Sequence, residues 1–435
     1  MAAMSSLLAA PADRGVEPAV PSRRAQRERR PRAVAVTLAI AIATMPILVP
    51  SGPGNTAPAD VTIATACLVT LFWLGHRRAR LRAPYLVPIT VIMLAGLVAT
   101  YFSGVPIAAL TILQDAFLLV WGICIANAVR LDPWLLRVVL SAWVRSGLVW
   151  AAVLCFGRLA GISWLAGMSA SDGTRASLTF GDPNLAGNYF IACLAMLLAT
   201  SVVRHRVARV GGAALVILAI VFTGSNGAAI GLLIVLAAGL LGAIRRRAGL
   251  AAMVAVLAIG GAATVGLAPH VSLSQVQQAA ADSVAVLHDS LGRANESSGT
   301  RETLIRETYN LYQHGNLIGI GPARTQAVLQ AKAAPYVKEA HDDYLASIVE
   351  RGVGGAVGLV LLIWVVGARF SRLVTRPQRP HVSAVVPRPE YLLGLVFAFA
   401  VAGLFYEVLH FRHLWALLGL GAGIDPAASR SGGNG

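Results

Sequence analysis

The sequence predicts an all-α protein: a polytopic bundle of about twelve membrane-spanning helices, with a partly helical loop outside the membrane. Three observations predict it. Hydrophobic residues make up 56% of the 435 positions and charged residues 13%, with a mean hydropathy of +0.68, which is more apolar surface than a soluble domain buries. Apolar stretches of bilayer-crossing length, roughly 17 to 25 residues, recur along the chain. The arginines fall in short runs between those stretches, in alternate loops.

In chain order, residues 1–32 are rich in Pro, Ala and Arg and end in Arg23, Arg24, Arg27, Arg29, Arg30 and Arg32. That composition reads as a disordered basic tail on the cytoplasmic side. Apolar segments then run over 33–50, 61–75, 84–102, 105–129, 133–156, 184–203, 209–223, 226–244 and 249–267, giving spans one to nine within 33–267. The first has the outline of a secretory leader, but the long tail before it and the many spans after it favour an uncleaved helix. Residues 268–341 form a connection of a length that is rare without a function. Stretches 272–291 and 300–313 carry apolar residues at helical spacing, so a small external subdomain is expected there. Spans ten to twelve follow within 342–424, at 342–367, 391–409 and 411–424, and residues 425–435 read as a C-terminal tail.

With the N-terminus inside, one side of the membrane receives Arg77, Arg78, Arg80 and Arg82, then Arg130, then Arg204, Arg206 and Arg209, then Arg245, Arg246 and Arg247, and finally Arg369, Arg372, Arg376, Arg379 and Arg388. This satisfies the positive-inside rule with both termini cytoplasmic and the 268–341 loop outside. The net charge of +16 therefore reports membrane orientation, not a nucleic-acid partner. Cys67, Cys124, Cys155 and Cys193 lie in or beside apolar segments without CxxC or Cys/His spacing, so neither a disulfide framework nor a zinc site is expected. Walker A, GxSxG, HExxH and DxD patterns are absent from suitable contexts, which argues against nucleotide-driven chemistry.

The residues suited to chemistry lie on the outer side. The long loop holds SGTRETLIRETYNLYQHGNLIGIGPARTQ, and KEAHDDYLASIVERGVGG leads into the tenth span. The series Arg301, Gly319-Ile320-Gly321-Pro322, His341, Tyr344, Leu345, Glu350, Gly352 and Gly355 resembles the O-antigen ligase and O-antigen polymerase superfamily. Upstream, RASLTFGDPNLAGNYF resembles another segment of that family, with Arg175, Asp182, Pro183, Asn184 and Ala186 at corresponding places. FTGSNGAAIGLL resembles its Ser-x-Ser-Arg-Gly hairpin, but Asn226 stands where an arginine is usual.

The resemblance implies a membrane glycosyltransferase of cell-surface polysaccharide synthesis, inverting and metal-independent. Its donor is a glycan on undecaprenyl diphosphate, its acceptor a glycan or lipid hydroxyl, and no cofactor is implied. A diphosphate leaving group gains negative charge as the glycosidic bond breaks, and permanently charged guanidinium groups suit it. Arg301 and Arg175 are the first candidates, with Arg306, Arg324, Asn184 and Asn226 beside them. His341 titrates near neutrality and suits a general base for the acceptor hydroxyl. Tyr344, with Tyr309, Tyr312 and Tyr336, could stack on sugars, although interfacial aromatics often anchor helix ends. His288 and His314 read as solvent-facing.

Glu407, His410, Arg412 and His413 cluster where the last two spans meet, and neighbours there are expected to pair. The alternatives are a transporter or lipid-linked glycan flippase, which needs charged groups along a mid-membrane path, and a family member weakened by Asn226. The spans read as nearly free of charge, which disfavours the former.

Overall fold

The computed structural model describes residues 30–52, 56–105, 108–168, 175–267, 294–313, 315–332 and 342–426, with the side chains of 260–267, 294–302 and 304 left out. The described residues hold fifteen helices and no strand. These are α1 (Arg32–Thr44), α2 (Pro58–His76), α3 (Leu86–Ser103), α4 (Ala109–Leu131), α5 (Pro133–Leu159), α6 (Ser163–Ala166), α7 (Pro183–Ala199), α8 (Arg206–Thr223), α9 (Asn226–Leu267), α10 (Ala294–Gln313), α11 (Thr325–Ala331), α12 (Asp343–Thr375), α13 (Pro380–Val385), α14 (Glu390–Ala402) and α15 (Arg412–Ile424).

Helix is the expected form because a segment in hydrocarbon must satisfy its backbone N–H and C=O groups internally. Each of the twelve apolar segments read from sequence falls on a helix. Seven helices are long and apolar enough to cross a membrane: α2, α3, α4, α5, α8, α9 up to Ile259, and α12. The protein is thus an integral membrane protein. Segments 226–244 and 249–267 are joined in α9, whose backbone breaks at Gly249 (φ 87°) just after the arginine run. The helices α1, α7 and α14 are shorter than a bilayer crossing.

The thirteen-residue α15 is buried along nearly its whole length. It packs closely on α4, where a side chain at Gly419 would strike the backbone of Gly122, and one at Gly423 would strike Val129. Small residues let apolar helices approach when both are bathed in equally apolar lipid. Gly358 of α12 sits likewise against Pro88 and Ile92 of α3.

The loops gather at two ends. At the basic end, Arg130 Nη2 donates to Arg80 O at 2.9 Å, Ser201 N to Val385 O at 2.9 Å and Arg388 N to Ala199 O at 3.2 Å. At the other, distal end, Leu48 N donates to Thr179 O at 3.0 Å and Asp343 N to Gly403 O at 2.9 Å, while Arg412 pairs with Asp60 at 2.7 Å. Asp425, placed by sequence at the start of the C-terminal tail, is buried and held by Arg369 and Arg372.

Candidate active site

Two helix starts and one helix end build the first part of the distal end. Asp182 and Pro183 open α7: the Asp182 carboxylate accepts from Asn184 N at 2.6 Å and Leu185 N at 3.4 Å, and proline fits a first turn that needs no N–H. Helix α8 ends at Gly224 in the left-handed region, and Ser225 Oγ accepts from Ala228 N at 3.2 Å to start α9. Arg175 joins these turns. Its Nε donates to Thr223 O at 3.0 Å and its Nη2 to Asn184 Oδ1 at 2.8 Å. The guanidinium thus sits at the carbonyl end of α8, where positive charge is favoured. Arg175 and Asn184, picked out by the same sequence segment, are direct partners, and Asn226 opens the next helix three residues beyond Thr223.

The second part is a backbone clamp. Residues 317–321 run beside the first turns of α12, with Ile320 N donating to Val349 O and Gly321 N to Glu350 O, both at 2.9 Å, and Val353 N to Leu317 O at 3.0 Å. These carbonyls and this N–H are free because Gly352 (φ 65°) interrupts α12. A Cβ at Gly319 (φ 97°) would lie 2.6 Å from Glu350 O, and one at Gly352 would lie 2.5 Å from Ile318 O. The Glu350 carboxylate completes the clamp, accepting from Ala323 N at 2.7 Å, Thr325 N at 3.2 Å and Thr325 Oγ1 at 2.7 Å. The GIGP and Glu-x-Gly patterns are therefore two halves of one support. Gly352→Ala is expected to cost at least about 1–3 kcal/mol from backbone strain alone, read as a lower unfolding temperature of the purified protein; an unchanged temperature would refute the clamp.

Arg324 braces the same turn, its Nη1 lying 3.2 Å from Ile320 O and 3.5 Å from Ser103 O. Tyr344 donates its hydroxyl to Ala400 O at 2.8 Å, so it ties α12 to α14 and its oxygen is engaged within the fold. His341 lies outside the described residues, as do His288, His314 and Tyr336. The cap of α12 is Asp342, which accepts from Tyr344 N at 2.8 Å and Leu345 N at 3.0 Å, and whose pKa burial raises. Arg301 falls within α10, two turns before the buried Thr308, with its side chain outside the described set; Arg306 is exposed. Leu311 at the end of α10 packs with Leu329 and Val349 in a small core of its own, which fixes this piece of the long loop onto α12.

A buried polar cluster, only part of it anticipated, lies under the clamp. Arg351 pairs with Asp115 of α4 at 2.6 Å, with side chains 10% and 9% exposed. Asp343 Oδ2 accepts from Val408 N at 2.8 Å, and Glu407 acts electrostatically on Asp343, Glu350 and Arg351. His410 Nε2 lies 3.2 Å from Glu407 Oε2. Burial pulls the imidazole pKa down, but the Glu407 hydrogen bond and charge outweigh it and leave the pKa pushed up to about 9. A histidine held protonated at neutral pH is not a general base there. The reading of the spans as nearly charge-free needs correction at Asp115 and Arg351. The available signal was Asp115 itself, a lone acid in an apolar stretch, which in a membrane demands a partner.

Loop 403–411 links the two parts: the ring of Tyr406 lies against Gly227, 2.9 Å from where a Cβ would stand, and Val408 reaches Asp343. Beside Asp343 and Tyr344 opens an apolar groove of about 80 Å³, lined also by Leu362, Val396, Phe399 and Leu414.

Residues 211–363 match the family model of the O-antigen ligase. That stretch is similar to the O-antigen ligase domain. The domain begins in α8, contains the Asn226 turn, Arg301, the glycine clamp, His341 and Arg351, and ends in α12. It covers less than half of the chain; Asn184, Glu407 and His410 lie outside it, as do Arg175 and Asp115, which reach into it at Thr223 and Arg351. No curated protein matches the chain.

Proposed function

We propose that the protein is a membrane glycosyltransferase that transfers or polymerises a polyprenyl-diphosphate-linked oligosaccharide at its distal end, on the outer face of a bacterial cytoplasmic membrane. The observation that carries this reading is the ligase domain itself, whose match encloses Arg301, the clamp and His341 together. The segregation of the arginine runs to the other end supports the sidedness.

In the proposed reaction the acceptor hydroxyl oxygen attacks the anomeric carbon and His341 takes the hydroxyl proton. The bond from that carbon to the diphosphate oxygen breaks on the opposite face, its electron pair leaving with the diphosphate, so the anomeric centre inverts. Arg301 balances the charge that develops on the leaving group, and Arg175 holds the diphosphate from the α8 turn. The apolar groove beside Asp343 suits the polyprenyl chain, since it is open and almost free of polar groups. Arg324, Asn184 and Tyr344 act in this reading by holding the site's walls, and Arg306 by contacting glycan at the surface.

The test is accumulation of lipid-linked glycan in a deletion strain, cleared by the wild-type chain. Clearance by a chain lacking residues 294–332 would overturn the proposal. A separate expectation concerns Asn226. Because Arg175 already brings a guanidinium to that turn, Asn226→Arg is expected to change binding of a purified polyprenyl diphosphate by no more than about twofold. A tenfold gain, by contrast, would assign the missing arginine a role that Arg175 does not fill.

A further inference from the structure

At the basic end, arginines from four separate stretches of chain meet around very little negative charge. Arg369 and Arg372 share Asp425, at 3.2 Å and 2.8 Å. Asn127 ties the Arg82 backbone to α4 through two hydrogen bonds, at 3.1 Å and 2.7 Å, and accepts from Arg130 Nη2 at 3.0 Å. Arg379 Nη2 donates to Gly423 O at 3.0 Å. Gly423 is itself packed against Ala126 and Val129 of α4, which brings Arg379 beside the turn that carries Arg130.

The partners of these last two guanidinium groups are neutral carbonyl and amide oxygens. Arg130 Nε, Arg379 Nε and Arg369 Nη1 are buried with no hydrogen-bond acceptor among the described residues. The carboxylate next along the chain, Asp132, is used to cap α5, accepting from Trp134 N at 2.8 Å. Burial first, and the nearby Arg82 charge second, depress the pKa of Arg379, and the Asp425 charge only partly offsets them. An arginine does not relieve such stress by losing its proton, and buried N–H donors left unmatched are costly. An anion that accepts several hydrogen bonds at once relieves both.

We propose that Arg130 and Arg379, with the Arg82 loop beside them, bind a phosphate group. Phosphate oxygens match the forked geometry of guanidinium donors, and two arginines from different stretches of chain fix a phosphate as lone lysines do not. An anionic phospholipid headgroup and a free phosphate offer the same chemistry, and the experiment separates them.

The full-length protein, purified in a neutral maltoside detergent, is heated with increasing phosphatidylglycerol, phosphatidylcholine or inorganic phosphate. Phosphatidylglycerol is expected to raise the unfolding temperature saturably while phosphatidylcholine does not. Arg130→Gln with Arg379→Gln is expected to weaken that response on the order of tenfold. Arg204→Gln with Arg206→Gln removes the same charge from two exposed arginines of another basic loop and is expected to leave the response intact. Saturable stabilisation by inorganic phosphate, lost in the Arg130/Arg379 pair, supports the site with a soluble anion as its source. Equal stabilisation by phosphatidylcholine, equal loss in the Arg204/Arg206 control, or an undiminished response in the Arg130/Arg379 pair overturns it. If that pair does not fold, native mass spectrometry of the wild type decides: preferential retention of phosphatidylglycerol supports the site, and equal retention of both lipids overturns it.

Discussion

Alanine at Arg301 or at His341 is expected to abolish glycan transfer while protein level and membrane insertion stay normal. The two losses have different origins. Removing a guanidinium that meets charge developing on a diphosphate typically costs on the order of a hundredfold or more in rate, and removing a general base costs on the order of a hundredfold to ten-thousandfold. Helix α10 is anchored through Leu311 on Leu329 and Val349, and α12 is capped by Asp342. Lipid-linked glycan should therefore accumulate in both variant strains as it does in the deletion, with the protein at its usual abundance in the membrane fraction. Full activity in both would end the assignment of these residues.

Arg351→Met is expected to have the largest effect on stability, about 3–5 kcal/mol, because it leaves Asp115 charged and unpaired where water does not reach. Replacing both members, Asp115→Leu with Arg351→Met, should recover most of that loss, since two apolar side chains of similar size carry no desolvation penalty. Thermal unfolding of the purified variants distinguishes the cases. A double variant as unstable as the single one would mean that the pair matters for its shape and not for its charge. The same comparison separates support from chemistry: the double variant should insert normally, so any remaining loss of transfer would come from the changed field around Glu407 and His410.

Much of the fold was legible in the sequence. The twelve apolar segments coincide with helices because only helical backbone satisfies itself in hydrocarbon, and hydropathy reports that demand directly. The segregation of arginine runs into alternate loops was equally legible, and those loops bond one another at one end. The structure also gives the reason for the short and the broken segments. Helix α15, read at 411–424, is only thirteen residues long because it is enclosed by protein and need not match a bilayer, and the segments read at 226–244 and 249–267 meet at Gly249 (φ 87°), where the backbone leaves helical geometry.

The candidate site was legible in a different way. The ordered motifs singled out Arg175, Asn184, the GIGP turn and Glu350, but a motif does not say whether a residue contacts substrate or holds a neighbour. Glu350, Gly319 and Gly352 hold the long loop against α12, Tyr344 holds α14, and Arg175 reaches the turn where Asn226 replaces an arginine. By itself, the sequence determined the class of protein, the helical segments and the two-sided distribution of charge, since each is set by local composition against the bilayer. Only the tertiary structure decided the partners of Arg351, Arg175 and Glu350. Each of these contacts joins stretches far apart in the chain, and the energy that fixes a buried charge depends on which group the fold brings to it.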